Sequence, residues 1–148
     1  MKIKAYLQYP WKVSDSQYYK NLIEYPPEEI EYLDSRDTGA ITKKKKFILS
    51  NYQKTAIRRI SGFLNLPFPN IHLTSPNKDC DVIHCAHCLS LNRRKPWVAD
   101  FEGLWQTTVS GKNSFLSRKI VGKILERKNC KKILGWTEEG KKEFVKNF

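Results

Sequence analysis

Three polar residues stand at the ends of two short apolar segments, and their side chains are the best suited in this chain to chemistry. His84 ends the segment 81–84, while Asp100 and Glu102 stand at the end of the segment 96–102. If both segments are parallel strands of an open α/β sheet, their carboxyl ends meet at one edge, where such sheets bind ligands. The sequence therefore predicts a pocket that contains these three side chains.

Glu102 is the predicted catalytic residue. It follows an apolar strand and precedes Gly103, which permits an abrupt turn, so its carboxylate could act as a general base or hold a sugar hydroxyl. Two structural roles stay open for Glu102, namely capping the next helical turn or pairing with Arg93 or Arg94. For His84 the alternatives are a pocket-lining side chain and a hydrogen-bonded histidine at the edge of the core.

Further substrate-binding residues are predicted in the loops at the same edge. An aromatic group after the first strand could stack on sugar rings, although packing of the first helix onto the sheet is the commoner role of such residues. This group consists of Tyr9, Trp11, Tyr18 and Tyr19. The full set of predicted substrate-binding residues is Tyr9, Trp11, His84, Asp100, Trp105, Thr137 and Glu138.

Four cysteines could either bind a metal or lie buried as free thiols. Cys80, Cys85 and Cys88 have the C-x4-C-x2-C spacing of plant-type ferredoxins, with Cys130 as a fourth thiol, and neighbouring histidines would allow a zinc site. However, this segment is predicted to overlap a strand, whose alternate side chains point to opposite faces. We therefore favour buried thiols and predict neither a metal nor a cofactor.

Strands and helices alternate along the chain, as in an α/β fold. Predicted strands lie at about 2–8, 30–33, 70–73, 81–84, 96–102 and 132–136. A first helix capped by Ser14 or Asp15 ends before Pro26, and further helices are predicted at 47–64, 114–128 and 138–148, with a loop or short helical turn at 103–111. The β-α-β unit at the start requires a right-handed parallel crossover. The predicted fold is a single Rossmann-like α/β/α domain over residues 1–148, with a mainly parallel sheet.

The chain is strongly basic, with 27 basic and 15 acidic residues and a formal net charge of +12. The densest basic segment is 112–132, which contains Glu126 as its single acid. This charge favours an anionic partner such as nucleic acid, a phospholipid surface or a phosphate-bearing substrate, although a solvated lysine-rich surface is an equal alternative. The residues predicted to contact a membrane or a phosphate are Arg118, Lys119, Lys123 and Arg127.

The sequence resembles the N-terminal domain of family 4 glycosyltransferases of the GT-B fold, especially archaeal members. The segments that carry the resemblance are 9–19, 25–32, 81–84, 96–102 and 133–138. Two departures are that Glu102 stands where many members have histidine, and that Tyr-Pro-Trp replaces a Gly-Gly turn after the first strand.

The resemblance implies the acceptor-binding half of a retaining glycosyltransferase. In that family the N-terminal domain mainly binds the acceptor, the C-terminal domain binds the nucleotide-sugar donor, and a metal is usually not needed. The donor-binding half with its E-x7-E carboxylates has no counterpart in the sequence. We therefore expect no catalysis by this chain alone. Either it is a fragment or split-gene product, completed in the second case by a separate C-terminal half protein, or it is a stand-alone domain that binds the acceptor without turnover. The implied acceptor is a glycan or a lipid-linked molecule.

The sequence also indicates a location and a second class of function. No apolar run approaches the roughly 20 residues that span a bilayer, and residues 1–7 lack the apolar core of a signal peptide. A cytoplasmic protein, peripheral at the inner membrane face through its basic helix, is therefore expected. The alternative is a basic nucleic-acid-binding module, although the sequence contains no helix-turn-helix, zinc-finger or RNA-binding signature.

Overall fold

The computed structural model describes residues 1–8, 16–34, 56–64, 66–72 and 79–148, and its centre is a five-stranded sheet. The strands of this sheet are β1 (Ile3–Gln8), β2 (Ile30–Asp34), β4 (Val82–Cys85), β6 (Trp97–Phe101) and β7 (Cys130–Gly135). A small second sheet pairs β3 (Ile71–His72) with β5 (Leu89–Ser90). The helices are α1 (Gln17–Glu24), α2 (residues 56–63), α3 (Phe115–Leu125) and α4 (Glu138–Asn147), with a 3-10 turn at Leu104–Thr107.

The five strands are all parallel, in the order β2-β1-β4-β6-β7. This is one of the two common orders of a doubly wound sheet, in which the chain first moves outward from β1 and then returns to the other side of it. The order reverses between β1 and β4, so the expected ligand crevice lies at the carboxyl ends of these two strands. The predicted α/β class with a mainly parallel sheet is confirmed.

Apolar side chains cover both faces of the sheet, because the inner strands are nearly continuous in apolar residues. On one face, Ile83 and Trp97 pack with Val121 and Ile124 of α3. On the other face, a smaller cluster joins Leu7 of β1 to α1 and β2. The carboxyl ends of β4 and β6 are therefore enclosed from two sides.

Most predicted elements are found within two residues of their expected ends, but two details differ. The N-cap of α1 is Ser16, whereas the predicted caps Ser14 and Asp15 lie outside the described residues. β5 was not predicted, since a two-residue strand has no periodicity. The helix predicted at 47–64 is described only from residue 56, where it is helical as expected.

The inward stripe of α3 contains a polar residue. Leu116 is apolar, yet 53% of it is exposed. The buried positions are Ser117, Val121 and Ile124, and at about 100° per residue Leu116 lies a quarter-turn from that stripe. A small polar residue takes the inward position because the Ser117 hydroxyl donates to the carbonyl of Ser114 at 2.8 Å.

Candidate functional site

The carboxyl ends of β4 and β6 bring His84 and Asp100 together, as the sequence predicted. Both side chains point to the α1 face of the sheet. His84 Nε2 lies 3.1 Å from Asp100 Oδ2, and both side chains are almost completely buried. The two atoms are within ion-pair distance, but the ring is not oriented for a hydrogen bond between them. The pair is thus an electrostatic contact inside the fold.

Two tyrosines complete this buried polar chain. The hydroxyl of Tyr19 on α1 donates to Asp100 Oδ2 at 2.7 Å, and the hydroxyl of Tyr32 on β2 lies 3.1 Å from His84 Nδ1. Four side chains from four elements therefore form one sequence of polar contacts, Tyr32–His84–Asp100–Tyr19. Buried polar groups that are paired in this way fix the relative positions of the elements that carry them.

Tyr19 and Tyr32, the two tyrosines of this series of polar contacts, are neutral at physiological pH. Burial, and secondarily the charge of Asp100, raises the pKa of Tyr19 far above its usual value. Burial also raises the pKa of Tyr32, to about 12, with smaller contributions from Tyr18 and Asp100. Their hydroxyls are thus available as hydrogen-bond donors throughout the physiological range.

A cluster of aromatic and imidazole rings lies above these buried polar contacts, at the carboxyl edge of the sheet. We call it the ring cluster, and it consists of Tyr18, Tyr19, His87, Trp105 and Trp136. The Trp105 ring stacks on His87 with centroids 6.2 Å apart and planes at 24°. The centroid of the Trp136 ring lies 5.1 Å from that of the same imidazole. On its other side, Trp136 contacts Tyr18, with ring centroids 4.9 Å apart. These rings form one continuous surface.

Three members of the ring cluster are open to solvent despite their size. The exposed fractions are 51% for Trp105, 45% for Tyr18 and 38% for Trp136. Gly103 permits this placement of Trp105, because a Cβ at Gly103 would lie 3.0 Å from two atoms of the indole ring. Large aromatic faces that remain exposed beside polar groups are typical of binding surfaces.

His87 is held in the ring cluster by an unusual backbone and by hydrogen bonds. Its φ of 55° lies in the left-handed region, which is uncommon for a residue with a side chain. Asn70 Nδ2 donates to the carbonyl oxygen of His87 at 2.8 Å, and the amide of Gln106 contacts His87 Nδ1. Burial lowers the pKa of His87, partly offset by the charges of Glu102 and Asp100.

Glu102, the predicted catalytic residue, is exposed just after β6. Its backbone N–H donates to Gln106 Oε1 at 2.7 Å, and its carboxylate is close enough to His87 to act on the pKa of that imidazole. Within the described residues its side chain forms no ion pair with Arg93 or Arg94 and no helix cap. The position at the strand end is the predicted one, and its catalytic role stays a prediction.

The remaining predicted substrate-binding residues have separate placements. Trp105 belongs to the ring cluster, whereas Tyr9 and Trp11 lie outside the described residues. Thr137 is the N-cap of α4, since its hydroxyl oxygen accepts a hydrogen bond from the Gly140 N–H at 3.0 Å. Glu138 is exposed in the first turn of α4, 3.9 Å from the ammonium group of Lys141.

The predicted membrane or phosphate residues divide into two kinds. Lys119 and Lys123 are exposed, one turn apart on α3. Arg118 and Arg127 are partly buried, and Arg118 Nη1 donates to Asn147 Oδ1 of α4 at 2.9 Å. The two lysines are thus the predicted cations that α3 presents most openly to solvent.

Three of the cysteines are buried thiols, as favoured from the sequence. Cys80, Cys85 and Cys88 are buried and Cys130 is partly buried, all in the reduced form. Burial raises the pKa of Cys85, and contact with the Cys88 thiol raises it further. In the part of the chain that the structure describes, no group of three or more potential ligands is arranged to hold a metal.

An apolar cleft of about 320 Å³ lies between β7 and α4. It is lined by Phe101, Ile133, Gly135, Lys141, Phe144 and Val145. Lys141 is its single charged residue, so the cleft suits an apolar group more than a polar ligand.

Sequence reasoning missed the roles of Tyr32, Gln106 and Trp136. Tyr32 was assigned only to a strand. A buried phenol needs a polar partner, so a tyrosine within a buried strand indicates that such a partner lies nearby. Gln106 follows Glu102 by one turn, a spacing at which side chain and backbone can meet. Trp136 gave no signal beyond its place at the end of a strand.

Comparisons with known proteins give no relative for this chain: no protein-family model, no curated protein and no solved structure matches it.

Proposed function

We propose that this chain is the acceptor-binding domain of a glycosyltransferase and binds a carbohydrate at the ring cluster. The observation that carries the proposal is the set of exposed aromatic faces, those of Trp105, Tyr18 and Trp136, next to the carboxylate of Glu102. The cluster stands at the carboxyl edge of a doubly wound sheet, where such folds bind ligands.

The chemistry of the ring cluster suits a sugar. One face of a pyranose ring carries C–H groups that pack on an aromatic surface, while its hydroxyls need both donors and acceptors of hydrogen bonds. Trp105 offers the flat face, Glu102 an acceptor, and His87 a ring nitrogen within the same surface. The hydroxyl of Tyr19, the buried tyrosine of the ring cluster, donates to Asp100 and so supports the surface from below.

The donor sugar would require a second domain. In the GT-B arrangement that the sequence resembles, a nucleotide-sugar binds to a C-terminal domain that faces the acceptor-binding domain. We propose that such a domain, on a separate protein or on a further part of the same protein, completes the catalyst. Glu102 would then face the gap between the two domains and act as the general base or hold a hydroxyl of the transferred sugar.

A peripheral membrane location fits the exposed part of α3. Within the described residues, no helix has the length and apolar character needed to cross a bilayer. Phe115 and Leu116 are nevertheless exposed at the start of α3, one turn before the exposed Lys119 and Lys123. Apolar groups beside lysines are suited to an anionic lipid surface. We propose that the protein acts on a glycan or lipid-linked acceptor at the cytoplasmic membrane face.

The test is a carbohydrate titration of the purified protein and of one aromatic variant. Sugar binding should change the tryptophan fluorescence, and Trp105→Ala should weaken binding by about tenfold or more, because stacked aromatic residues in binding sites contribute on the order of 1–2 kcal/mol.

The matched control is Phe63→Ala, which removes an exposed aromatic ring from α2, outside the ring cluster. Its affinity should equal that of the unaltered protein. If no oligosaccharide binds at millimolar concentration, or if Phe63→Ala loses as much affinity as Trp105→Ala, the proposal is wrong.

A further inference from the structure

The side chain of Gln106 lies between the backbone of Glu102 and the ring of His87. Gln106 Oε1 accepts the N–H of Glu102 at 2.7 Å, so the oxygen end of the amide is occupied by a donor. The other end, Nε2, faces His87 Nδ1. An amide nitrogen is a donor only, and His87 Nδ1 must therefore be an acceptor. In the neutral ring the hydrogen then resides on Nε2.

Asn70 joins the backbones that carry these two side chains. Asn70 Nδ2 donates to the backbone carbonyl oxygens of both His87 and Gln106, at 2.8 Å and 3.1 Å. Gln106 is itself buried. Asn70 thus holds the two backbones together, and neither the Gln106 amide nor the His87 imidazole can turn over without losing a hydrogen bond of its own.

His87 is consequently unsuited to act as a base. Its Nδ1 lone pair is taken by Gln106, and its Nε2 carries a hydrogen that no described residue accepts. Burial favours the neutral ring against the charges of Glu102 and Asp100, while Tyr19, Trp105 and Trp136 contribute uncharged rings around it. What His87 offers a ligand is one N–H donor at a fixed position.

Among the described residues, the charges that act on the His87 imidazole are negative, although the whole chain is basic. These charges are Glu102 and Asp100, and Glu143 Oε2 accepts the N–H of the neighbouring Leu104 at 3.3 Å. Lys141 follows on α4, with its ammonium group 3.9 Å from the carboxylate of Glu138. An anionic ligand at the ring cluster would therefore meet like charges, whereas hydroxyl groups could donate to Glu102 and accept from His87.

We infer that Gln106 locks His87 as a hydrogen-bond donor through Nε2, and that His87 and Glu102 form a donor–acceptor pair that selects an uncharged, hydroxyl-bearing ring over an anionic one. The second half of this inference rests on the proposed carbohydrate binding. The first half concerns the protein alone. Gln106 is here a positioning residue, and His87 and Glu102 are the groups that touch the ligand.

The lock is tested by nitrogen NMR of the histidine rings. The chain has three histidines, so the His87 signals can be assigned with a His87→Gln variant. The unaltered protein should show His87 with its hydrogen on Nε2. In Gln106→Glu the carboxylate is an acceptor, so the hydrogen should move to Nδ1 and the ring should titrate at a higher pH.

Gln17→Glu is the matched control, since Gln17 is an exposed glutamine on α1 whose side chain donates to Asn21 Oδ1. It should leave the His87 signals unchanged. A hydrogen on Nδ1 in the unaltered protein would overturn the lock, whether or not Gln106→Glu folds. Identical His87 titration in Gln106→Glu and Gln17→Glu would overturn it as well.

The selectivity is tested with matched uncharged and anionic sugars. Methyl glycosides of glucose, galactose and mannose are compared with those of the corresponding uronic acids, by tryptophan fluorescence. The uncharged member of a binding pair should bind about tenfold more tightly, because like charges across an interface are strongly unfavourable. Glu102→Gln should reduce that ratio.

The outcomes separate the two proposals. Uronic acids that bind as tightly as the uncharged glycosides would overturn the selectivity and leave carbohydrate binding standing. If none of these glycosides and no longer oligosaccharide binds, both the proposed function and the selectivity are wrong, while the NMR reading still decides whether Gln106 locks His87.

Discussion

At the scale of single residues, four buried polar side chains hold α1 and β2 against the inner strands of the sheet. His84 and Asp100 lie on adjacent parallel strands and point to one face, so their 3.1 Å contact follows from the strand assignment. Their burial does not follow from it. Tyr19 closes the site from α1, and the position of a helix over a sheet depends on packing that strand patterns do not contain. His84 is therefore buried and in contact with the Tyr32 hydroxyl, while its part in ligand binding stays a prediction.

The contact between Tyr19 and Asp100 should contribute measurably to stability. Tyr19→Phe removes the donor to a buried carboxyl group and should lower the free energy of unfolding by about 1.5–3 kcal/mol, the range for hydrogen bonds to charged groups. Denaturant unfolding monitored by tryptophan fluorescence measures the change. Tyr25→Phe, at an exposed tyrosine, should change stability by less than about 0.5 kcal/mol. Equal effects of the two substitutions would contradict this prediction.

At the scale of elements, helix α4 connects the fold to the site. It starts where β7 ends, with Thr137 as its cap, and Trp136 just before that cap belongs to the ring cluster. The sequence predicted both ends of α4 closely, because a threonine before two glutamates is a strong helix start. The close approach of α4 to Glu102 was not predictable, since it depends on a glycine whose role appears only in three dimensions.

That glycine is Gly140, and its replacement should destabilise the protein. A Cβ at Gly140 would lie 3.0 Å from the carbonyl oxygen of Glu102 and 3.3 Å from the Thr137 hydroxyl. Gly140→Ala should therefore lower the free energy of unfolding by about 1–3 kcal/mol, the usual cost of overpacking, and should shift the NMR signals of Glu102.

The matched control is Gly122→Ala in α3, where a Cβ would meet nothing within 4 Å. Because alanine is the better helix former, this change should raise the free energy of unfolding by about 0.5–1 kcal/mol. The two substitutions should therefore change the free energy of unfolding in opposite directions. Stabilisation by Gly140→Ala would mean that α4 does not approach Glu102 as described.

At the scale of the whole molecule, the charges at the ring cluster differ in sign from those on the exposed face of α3. Glu102 and Asp100 act on the His87 imidazole, while Lys119 and Lys123 are exposed on α3. A net charge of +12 thus says little about the ligand of the site. The sequence revealed the excess charge, but its separation from the site depends on which edge of the sheet each loop reaches.

Charge reversal on α3 should identify the partner of the basic surface. Lys119→Glu combined with Lys123→Glu should weaken binding to vesicles that contain anionic lipid by at least about tenfold, since each basic residue near such a surface contributes about 1 kcal/mol. Cosedimentation with vesicles measures this. Lys2→Glu combined with Lys20→Glu makes the same change of charge at exposed lysines outside α3 and should have a smaller effect.

Two outcomes would redirect the interpretation. Equal losses in both double variants would mean that net charge alone drives vesicle binding. Absence of vesicle binding, together with salt-sensitive binding to an oligonucleotide that depends on Lys119 and Lys123, would favour the alternative nucleic-acid-binding function.

The alkylation rate of the buried thiols can be used to measure how often the core of this protein opens. Cys85 and Cys88 flank His87 in sequence, yet both thiols are enclosed in the core. An alkylating reagent can reach them only when the part of the core that encloses them opens. The rate at which they are labelled therefore reports how often that part of the core opens, and a bound ligand should slow that rate in proportion to its occupancy.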